Sequence, residues 1–290
     1  MQPFNYVRPT SLTEAIDLLA EHGPAARVLA GGTDLVIRLR DGTLSPSIVV
    51  DVKRIPELAP GIGSGDGGWI VIGAMTTMTE IAAHPVIRRD LAALAEAAAV
   101  VGSVQIRNRA TLAGNLCNAS PAADTAPALL VHGATVVAAG PGGMRRVPLD
   151  EFFVRSGVTT LQPGELVTAI EIPARQARLA SAHQRRTRRR GHDLASVTLA
   201  CGVDGSDTAR VAFGSVGPRP LLRLDPTGIL ADPGSSEADR AGVLDALFAD
   251  ATPSPRSMRA GPEYRLAMLR VLGRRALATA HERLGTGATA

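Results

Sequence analysis

The first 55 residues alternate between apolar and polar positions in a way that predicts a strand, a helix and a second strand. Ser11 and Glu14 have the spacing of a capping box, and the apolar residues after them share one face of a helix that can end at Gly23. Apolar runs at 27–30 and 48–52 predict strands, and the apolar residues between them predict a short helix. We therefore expect a small N-terminal lobe built around a β-α-β unit.

The middle of the chain predicts a larger lobe in which helices and strands mix. Strands are expected at 69–72, 134–139 and 165–172, where β-branched and other apolar residues cluster. Helices are expected at 91–101, which is rich in alanine, and at 127–132.

Beyond residue 175 the pattern changes to consecutive strands followed by helices. Strands are predicted at 196–203 and 208–213, and helices at 238–249 and 262–283. Strands that follow each other without an intervening helix pair antiparallel. The chain is thus expected to be an α+β protein, with a two-lobed domain followed by an antiparallel sheet with helices. The expected boundaries are 1–175 for the first domain, with lobes 1–55 and 56–175, and 176–290 for the C-terminal domain.

The strand at 27–30 runs into a glycine pair, and this segment is the most informative part of the chain. Glycine permits a positive φ and a close approach of the backbone to a ligand, and the amides of a turn can converge on an anion. The segment therefore has the chemistry to hold phosphate. Its residues, called loop 1 below, are Val28, Leu29, Ala30, Gly31, Gly32, Thr33, Asp34 and Leu35.

A second segment, called loop 2 below, spans residues 107–124 and is also rich in small and hydrogen-bonding residues. Two such loops could bracket one diphosphate. Loop 1 alone is equally compatible with a plain turn in which Thr33 or Asp34 caps a helix. Its glycines lack the G-x-G-x-x-G spacing of the dinucleotide-binding fold, and no Gly-Lys-Ser/Thr ending of a P-loop follows. Neither of these two common nucleotide motifs is therefore present in loop 1.

In this order, the two loops resemble those of the flavin-binding medium subunit of the molybdenum hydroxylases. This is the family of xanthine dehydrogenase and aerobic carbon monoxide dehydrogenase. The resemblance implies an FAD-binding domain of the vanillyl-alcohol-oxidase-like kind, followed by the C-terminal lobe. It spans the chain and rests on further segments at 4–9, 11–15, 165–173, 193–197 and 263–265.

The resemblance also implies which residues contact FAD. The cofactor's diphosphate would lie between the two loops, and every residue of loop 1 is assigned to the site. Asp124 would contact the hydroxyl-bearing part of the cofactor, although it could instead cap the helix at 126–131. The residues assigned beyond loop 1 are Thr111, Ala113, Gly114, Asn115 and Asp124 from loop 2, together with Val167 and Arg185.

Two positions depart from the family's pattern. The commoner form of loop 2 has two adjacent glycines, whereas here Ala113 precedes Gly114. Alanine at position 113 tolerates a narrower range of backbone angles than glycine would. The family often places a lysine where Arg185 stands, and it reaches toward the flavin ring. Arginine keeps the charge but not the compact ammonium geometry. For the arginine run 185–190 as a whole, a solvated face or a subunit interface is a better interpretation than catalysis.

Composition and charge exclude several classes of function. The formal net charge of +4 is concentrated in the arginine run, aromatic residues make up only 3% of the chain, and no recognition-helix or zinc-finger pattern occurs. We expect no nucleic-acid partner. No signal peptide or long apolar segment is apparent, so we expect no membrane span and a cytoplasmic location. The six histidines are scattered, and none is assigned to catalysis.

The resemblance implies an FAD-binding subunit of a heteromeric molybdenum hydroxylase. A large molybdopterin-binding subunit would oxidise the substrate, a small subunit would relay electrons through [2Fe-2S] clusters, and FAD would pass them to NAD or another acceptor. The complex is expected to be a dimer of heterotrimers. Two cysteines, Cys117 and Cys201, cannot bind a cluster by themselves, which agrees with this division.

Two alternatives remain open. The first is a self-contained flavin oxidoreductase, which requires a polar substrate pocket of which the C-terminal sequence gives no sign. The second is an interaction module whose arginine run docks on an acidic partner.

Overall fold

The computed structural model of the protein describes residues 1–173, 179–189, 191–205 and 208–286. The expected boundary at 175/176 and Arg190 of the arginine run lie outside the described residues. The strands are β1 Asn5–Val7, β2 Ala26–Leu29, β3 Ile48–Asp51, β4 Ile62–Ser64, β5 Ile70–Gly73, β6 Thr135–Gly140, β7 Gly143–Pro148, β8 Phe153–Arg155, β9 Val158–Thr159, β10 Leu166–Ile172, β11 Ala180–Arg186, β12 Val197–Val203, β13 Ala209–Gly214 and β14 Leu221–Leu224. The helices are α1 Leu12–His22, α2 Leu35–Arg40, α3 Met78–Ala83, α4 Pro85–Asp90, α5 Ala92–Ala99, α6 Val104–Arg107, α7 Leu112–Cys117, α8 Thr125–Val131, α9 Leu149–Phe152, α10 Glu237–Leu247 and α11 Pro262–Gly285.

The N-terminal lobe contains the predicted β-α-β unit. Strands β2 and β3 run parallel and are joined through α2, while β1 pairs with the other edge of β3. The side chain of Ser11 accepts a hydrogen bond from the amide of Glu14, so α1 begins where the capping-box spacing predicts. Sequence analysis missed β1, because a strand of three residues carries too little periodicity to be recognised.

The larger lobe is an antiparallel sheet with strand order β4-β5-β10-β6-β7, accompanied by α3 to α8. The predicted strands at 69–72, 134–139 and 165–172 correspond to β5, β6 and β10, with ends shifted by one residue. Helix α5 contains five buried residues, four of them alanines. This small-residue face allows α5 to pack closely against its neighbours, as its composition indicated.

The C-terminal part is the predicted antiparallel sheet with helices, in the order β11-β12-β13-β14. Every residue of β12 is buried, because the sheet is covered on both faces. Leu199 and Phe213 pack on one side in a core shared with α11, whereas Ala200 and Ala212 pack on the other side in the core of the two N-terminal lobes. The C-terminal sheet therefore lies directly against α5 and α8.

No helix in the described part of the chain is long and apolar enough to cross a membrane.

Candidate functional site

Loop 1 turns sharply at its second glycine. Gly32 has a φ of 77°, in the left-handed region that favours glycine. A Cβ atom there would lie 3.0 Å from Cδ1 of Leu29 and 3.3 Å from Cγ2 of Val36. The carbonyl oxygen of Gly32 accepts a hydrogen bond from the amide of Val36 at 3.0 Å, which leads the turn into α2. Loop 1 therefore needs glycine at this position for both its backbone angle and its space.

The first glycine of the pair is needed for a different reason. A Cβ atom on Gly31 would lie 2.0 Å from the carbonyl oxygen of Arg109 and 3.1 Å from Cα of Ala110. Both atoms belong to the backbone of loop 2. The two loops thus touch backbone to backbone, and any side chain at position 31 would force them apart.

Loop 2 is held in shape by its own hydrogen bonds. Thr111 caps α7, because its hydroxyl accepts from the amide of Gly114 at 3.1 Å. The carboxamide oxygen of Asn115 accepts from the hydroxyl of Thr125 at 2.7 Å, which ties α7 to α8. Among the described non-glycine residues, Ala119 and Ser215 have a positive φ and Ala113 does not. The alanine that departs from the family's glycine pair therefore adopts an ordinary backbone conformation.

A polar contact also links the two loops. The side-chain amide of Asn118 donates to Oδ1 of Asp34 at 3.3 Å. Asp34 occupies the N-cap position of α2, but its side chain makes no capping hydrogen bond there. The interpretation of loop 1 as a turn capped by Asp34 is therefore wrong, since this carboxylate reaches across to loop 2.

A cleft of about 320 Å³ opens between the loops. This volume is at the lower end of the range of small-molecule sites. The predicted residues that line the cleft are Val28, Ala30, Gly31, Gly32, Thr33, Asp34, Leu35, Thr111, Ala113, Gly114, Asn115 and Val167. Arg27 of β2 and Arg38 of α2 also line it and add positive charge. Sequence analysis missed these two, although both flank loop 1 closely.

Three predicted residues do not line the cleft. Leu29 of loop 1 faces away from the cleft, and its carbonyl oxygen accepts from the amide of Val52 at 3.2 Å. Asp124 and Arg185 form an ion pair, with 2.7 Å between Oδ2 and Nη1, that joins α8 to β11. Arg185 also donates to the carbonyl oxygen of Val100 at 2.7 Å. Their assignment to FAD stays a prediction, and the structure gives both residues a role at the contact between the two parts of the chain.

One oxygen of this ion pair is left without a partner. Oδ1 of Asp124 is buried and has no hydrogen-bond partner in the described structure. Nε2 of His183 lies 3.6 Å away and is instead 3.0 Å from the hydroxyl oxygen of Thr198. Asp124 occupies the N-cap position of α8, yet its side chain does not cap the helix. The capping alternative for Asp124 is therefore wrong.

The cysteine in the cleft wall is not activated. Cys117 lines the cleft with an exposed side chain, and partial desolvation there raises the pKa of its thiol. A thiol must lose its proton to act as a nucleophile. Cys117 is therefore protonated at neutral pH.

Comparison with known proteins assigns this arrangement to a family. The FAD binding domain of molybdopterin dehydrogenases matches residues 2–175, and the C-terminal domain of the CO dehydrogenase flavoprotein matches residues 182–280. The chain belongs to this family of molybdenum hydroxylase flavoproteins. Like its relatives, the flavoprotein is an oxidoreductase subunit with an FAD-binding domain.

Relatives match the flavoprotein over nearly its full length. The carbon monoxide dehydrogenase medium chain of Hydrogenophaga pseudoflava is 32% identical, with 97% of this chain and 98% of the relative covered. The putative xanthine dehydrogenase FAD-binding subunit of Escherichia coli is 31% identical, with 95% of both chains covered. The solved carbon monoxide dehydrogenase of Hydrogenophaga pseudoflava that lacks the Mo-pyranopterin moiety superposes with a TM-score of 0.90 at 31% identity, covering 98% of this chain and 99% of its own. The fold expected from the sequence is thereby confirmed.

The residues present in the cleft fit FAD. The backbone contact at Gly31 holds the two loops together, and Thr33 and Asn115 contribute polar groups to the cleft that lies between them. Apolar side chains, among them Leu58 and Ile106, line the rest of the cleft. Such a mixture of converging polar groups and apolar wall suits a cofactor with a charged diphosphate and flat rings.

Proposed function

We propose that the flavoprotein is the FAD-binding electron-transfer subunit of a heteromeric molybdenum hydroxylase. It takes electrons from the [2Fe-2S] clusters of a small partner subunit and passes them to NAD or another acceptor. The substrate is oxidised on a large molybdopterin-binding subunit, and the complex is a dimer of heterotrimers in the cytoplasm. The observation that carries the proposal is the cleft between loops 1 and 2 in a chain that belongs to the family over almost its whole length.

The cofactor is held mainly by backbone groups. Gly31 and Gly32 bring the amides of loop 1 to one side of the diphosphate, and Gly114 and Asn115 bring those of loop 2 to the other. Arg27 and Arg38 add positive charge near the same cleft. Val167 adds apolar wall to the same cleft. FAD itself supplies the redox chemistry, and the chain supplies its position and electrostatic environment.

The two parts of the chain have separate tasks in this proposal. Residues 1–175, with lobes 1–55 and 56–175, bind FAD, and residues 176–290 form a lobe that braces it. The extents of the two family matches support this division. The ion pair between Asp124 and Arg185 is one of the contacts that hold the parts together.

Cysteine content supports clusters on another subunit. A [2Fe-2S] cluster takes four protein ligands, usually cysteines, and this chain has two cysteines in all. Cys201 is buried in the C-terminal core, far along the chain from Cys117 in the cleft. The cysteine content thus agrees with clusters carried by a partner subunit.

Purification from the native host tests the proposal. We expect two further chains to co-purify, with molybdenum and iron in the complex and FAD in this chain. Intact-complex mass gives the stoichiometry, and reduction by substrate followed by addition of NAD shows whether NAD is the acceptor. Recovery of this chain alone, with FAD bound and turnover undiminished, would refute the assignment to a heteromer.

The self-contained oxidoreductase is the weaker alternative. The structure does contain a polar groove in the C-terminal part, near Arg259 and Arg265, which sequence analysis did not anticipate. Its lining, among the described residues, includes no histidine, aspartate or glutamate that could accept a proton from a substrate. The groove therefore lacks the group that oxidation of an alcohol or amine requires. Isolated FAD-loaded chain that oxidises such a substrate would favour this alternative.

A further inference from the structure

A second groove, called the arginine groove here, lies apart from the FAD cleft. It has a volume of about 510 Å³, within the range of small-molecule sites. Loop 2 contributes Ser120 and Pro121 to its lining, and the C-terminal segment contributes Arg256, Arg259 and Arg265. The groove and the FAD cleft have no lining residue in common, although both border loop 2.

The deepest cation of the groove has an unused donor. Arg265 is only 3% exposed and lies in the first turn of α11. Its Nε donates to the carbonyl oxygen of Ser196 at 3.0 Å, while Nη1 is buried without an acceptor in the described structure. A buried charged group without a partner is costly, and each such group in a native protein calls for an explanation. An anion in the groove would supply the missing acceptor.

The surroundings of Arg265 do not neutralise it. Burial, and next the positive charge of Arg259, lower the pKa of Arg265. Burial, and next the charge of Arg188, likewise lower the pKa of Arg259. Asp193 lies close enough to oppose this shift at Arg259, but its carboxylate already pairs with Arg188 at 3.3 Å. Three arginines and no carboxylate line the described groove, so its lining carries a net positive charge.

Neutral donors accompany the arginines. The hydroxyl of Ser254 accepts from the amide of Arg256 at 3.2 Å, and that of Ser257 accepts from the amide of Arg259 at 3.3 Å. A hydroxyl that accepts one hydrogen bond keeps its own hydrogen to donate. Both serines line the groove. The groove thus offers guanidinium forks and hydroxyls together, the donor set that binds the oxygens of phosphate or carboxylate groups.

We propose that the arginine groove is a binding site for an anionic small molecule, which it holds through a phosphate or carboxylate group. Arg265 contacts the anion from the floor, and Arg259 contacts it from the rim. Because the groove borders loop 2 but not the cleft, the anion binds while FAD is in place. This site is additional to the FAD site, and the proposal for it does not depend on the proposed function.

Calorimetric titration of the FAD-loaded full chain tests the site. Pyrophosphate is the phosphate probe and citrate is the carboxylate probe, each compared with potassium chloride at matched ionic strength. We expect saturable binding of at least one probe, and the probe that binds identifies the ligand chemistry. Arg259→Gln should weaken binding by roughly tenfold or more, because a hydrogen bond to a charged group contributes about 1.5–3 kcal/mol.

An exposed arginine on α11 provides the matched control. Arg274→Gln removes the same charge away from the groove and should leave binding unchanged. Arg265→Lys keeps the buried positive charge but removes the planar guanidinium group with its paired N–H donors. This variant should also weaken binding of the probe, while the FAD content stays constant.

Three results would overturn the proposal. They are the absence of saturable binding above the chloride control, equal weakening by the Arg259 and Arg274 variants, and binding of pyrophosphate only after FAD has been removed. The last result would make the groove part of the FAD site. FAD content, measured in each sample, reports on the proposed function separately.

Discussion

The backbone contact between the two loops predicts that Gly31→Ala severely weakens FAD binding. The new Cβ atom would lie 2.0 Å from the carbonyl oxygen of Arg109, whereas Cβ atoms essentially never approach another heavy atom within 3.0 Å. The loops must therefore separate by about 1 Å at their point of closest approach. No flexible side chain can absorb this movement, because the nearest atoms all belong to the backbone of loop 2.

Overpacking of this kind costs roughly 1–3 kcal/mol. If parting the loops removes one amide hydrogen bond to the charged diphosphate, worth about 1.5–3 kcal/mol, the dissociation constant for FAD rises about tenfold to a hundredfold. Part of the cost also appears as lower stability of the FAD-free protein, since the clash exists with or without the cofactor.

Flavin absorbance per chain after purification gives the occupancy, and fluorescence titration of FAD-free protein gives the dissociation constant. Gly63→Ala is the matched control, because Gly63 lies in β4 of the same domain and an added Cβ atom there meets nothing within 4 Å. We expect this control to bind FAD as the unmodified protein does. Unchanged affinity in Gly31→Ala would show that the contact between the loops does not form the cofactor's cradle.

Four further predictions concern the cofactor, electron flow and stability. Gly32→Val should abolish FAD binding while the C-terminal lobe stays folded, because the φ of 77° at position 32 strains a β-branched residue. Full flavin occupancy in this variant would contradict the prediction. FAD should be bound noncovalently, since Cys117 is protonated, and acid precipitation should release all the yellow colour into the supernatant. In the assembled complex, Asn115→Ala should slow turnover with the acceptor yet spare reduction of the partner's clusters in a single turnover; loss of both would argue for substrate chemistry in this chain. The hydrogen bond and ion pair with Arg145 lower the pKa of Glu165, so the pair stabilises the fold at a pH above the ordinary carboxyl pKa and stops doing so as the pH falls through the lowered pKa. Denaturant titrations should therefore show that the stability difference between the unmodified protein and Arg145→Met shrinks in acid. A stability difference that stays constant with pH would refute the predicted pH dependence.

Local chemistry in the sequence determined most of the elements. Ser11 caps α1 where predicted, because its hydrogen bond to the amide of Glu14 joins residues three apart. The glycine pair likewise signalled a turn with a positive φ, which Gly32 adopts. The resemblance to the molybdenum hydroxylase flavoproteins could be recognised for the same reason, since it rests on contiguous motifs. Short strands such as β1 were missed because their pairing depends on residues far along the chain.

Only the tertiary structure decided what these motifs contact. Gly31 and Arg109 touch because the sheets of two lobes bring distant loops together, and no local pattern encodes that approach. The ion pair of Arg185 with Asp124 likewise forms because β11 packs against α8, and no local pattern indicated it. The arginine groove has no sequence signature at all, because its walls come from separate segments whose charges are unremarkable one by one. Periodicity and capping depend on residues that are neighbours in the chain. The positive charge of the arginine groove depends instead on which segments the fold brings together and on the absence of carboxylates from the described lining.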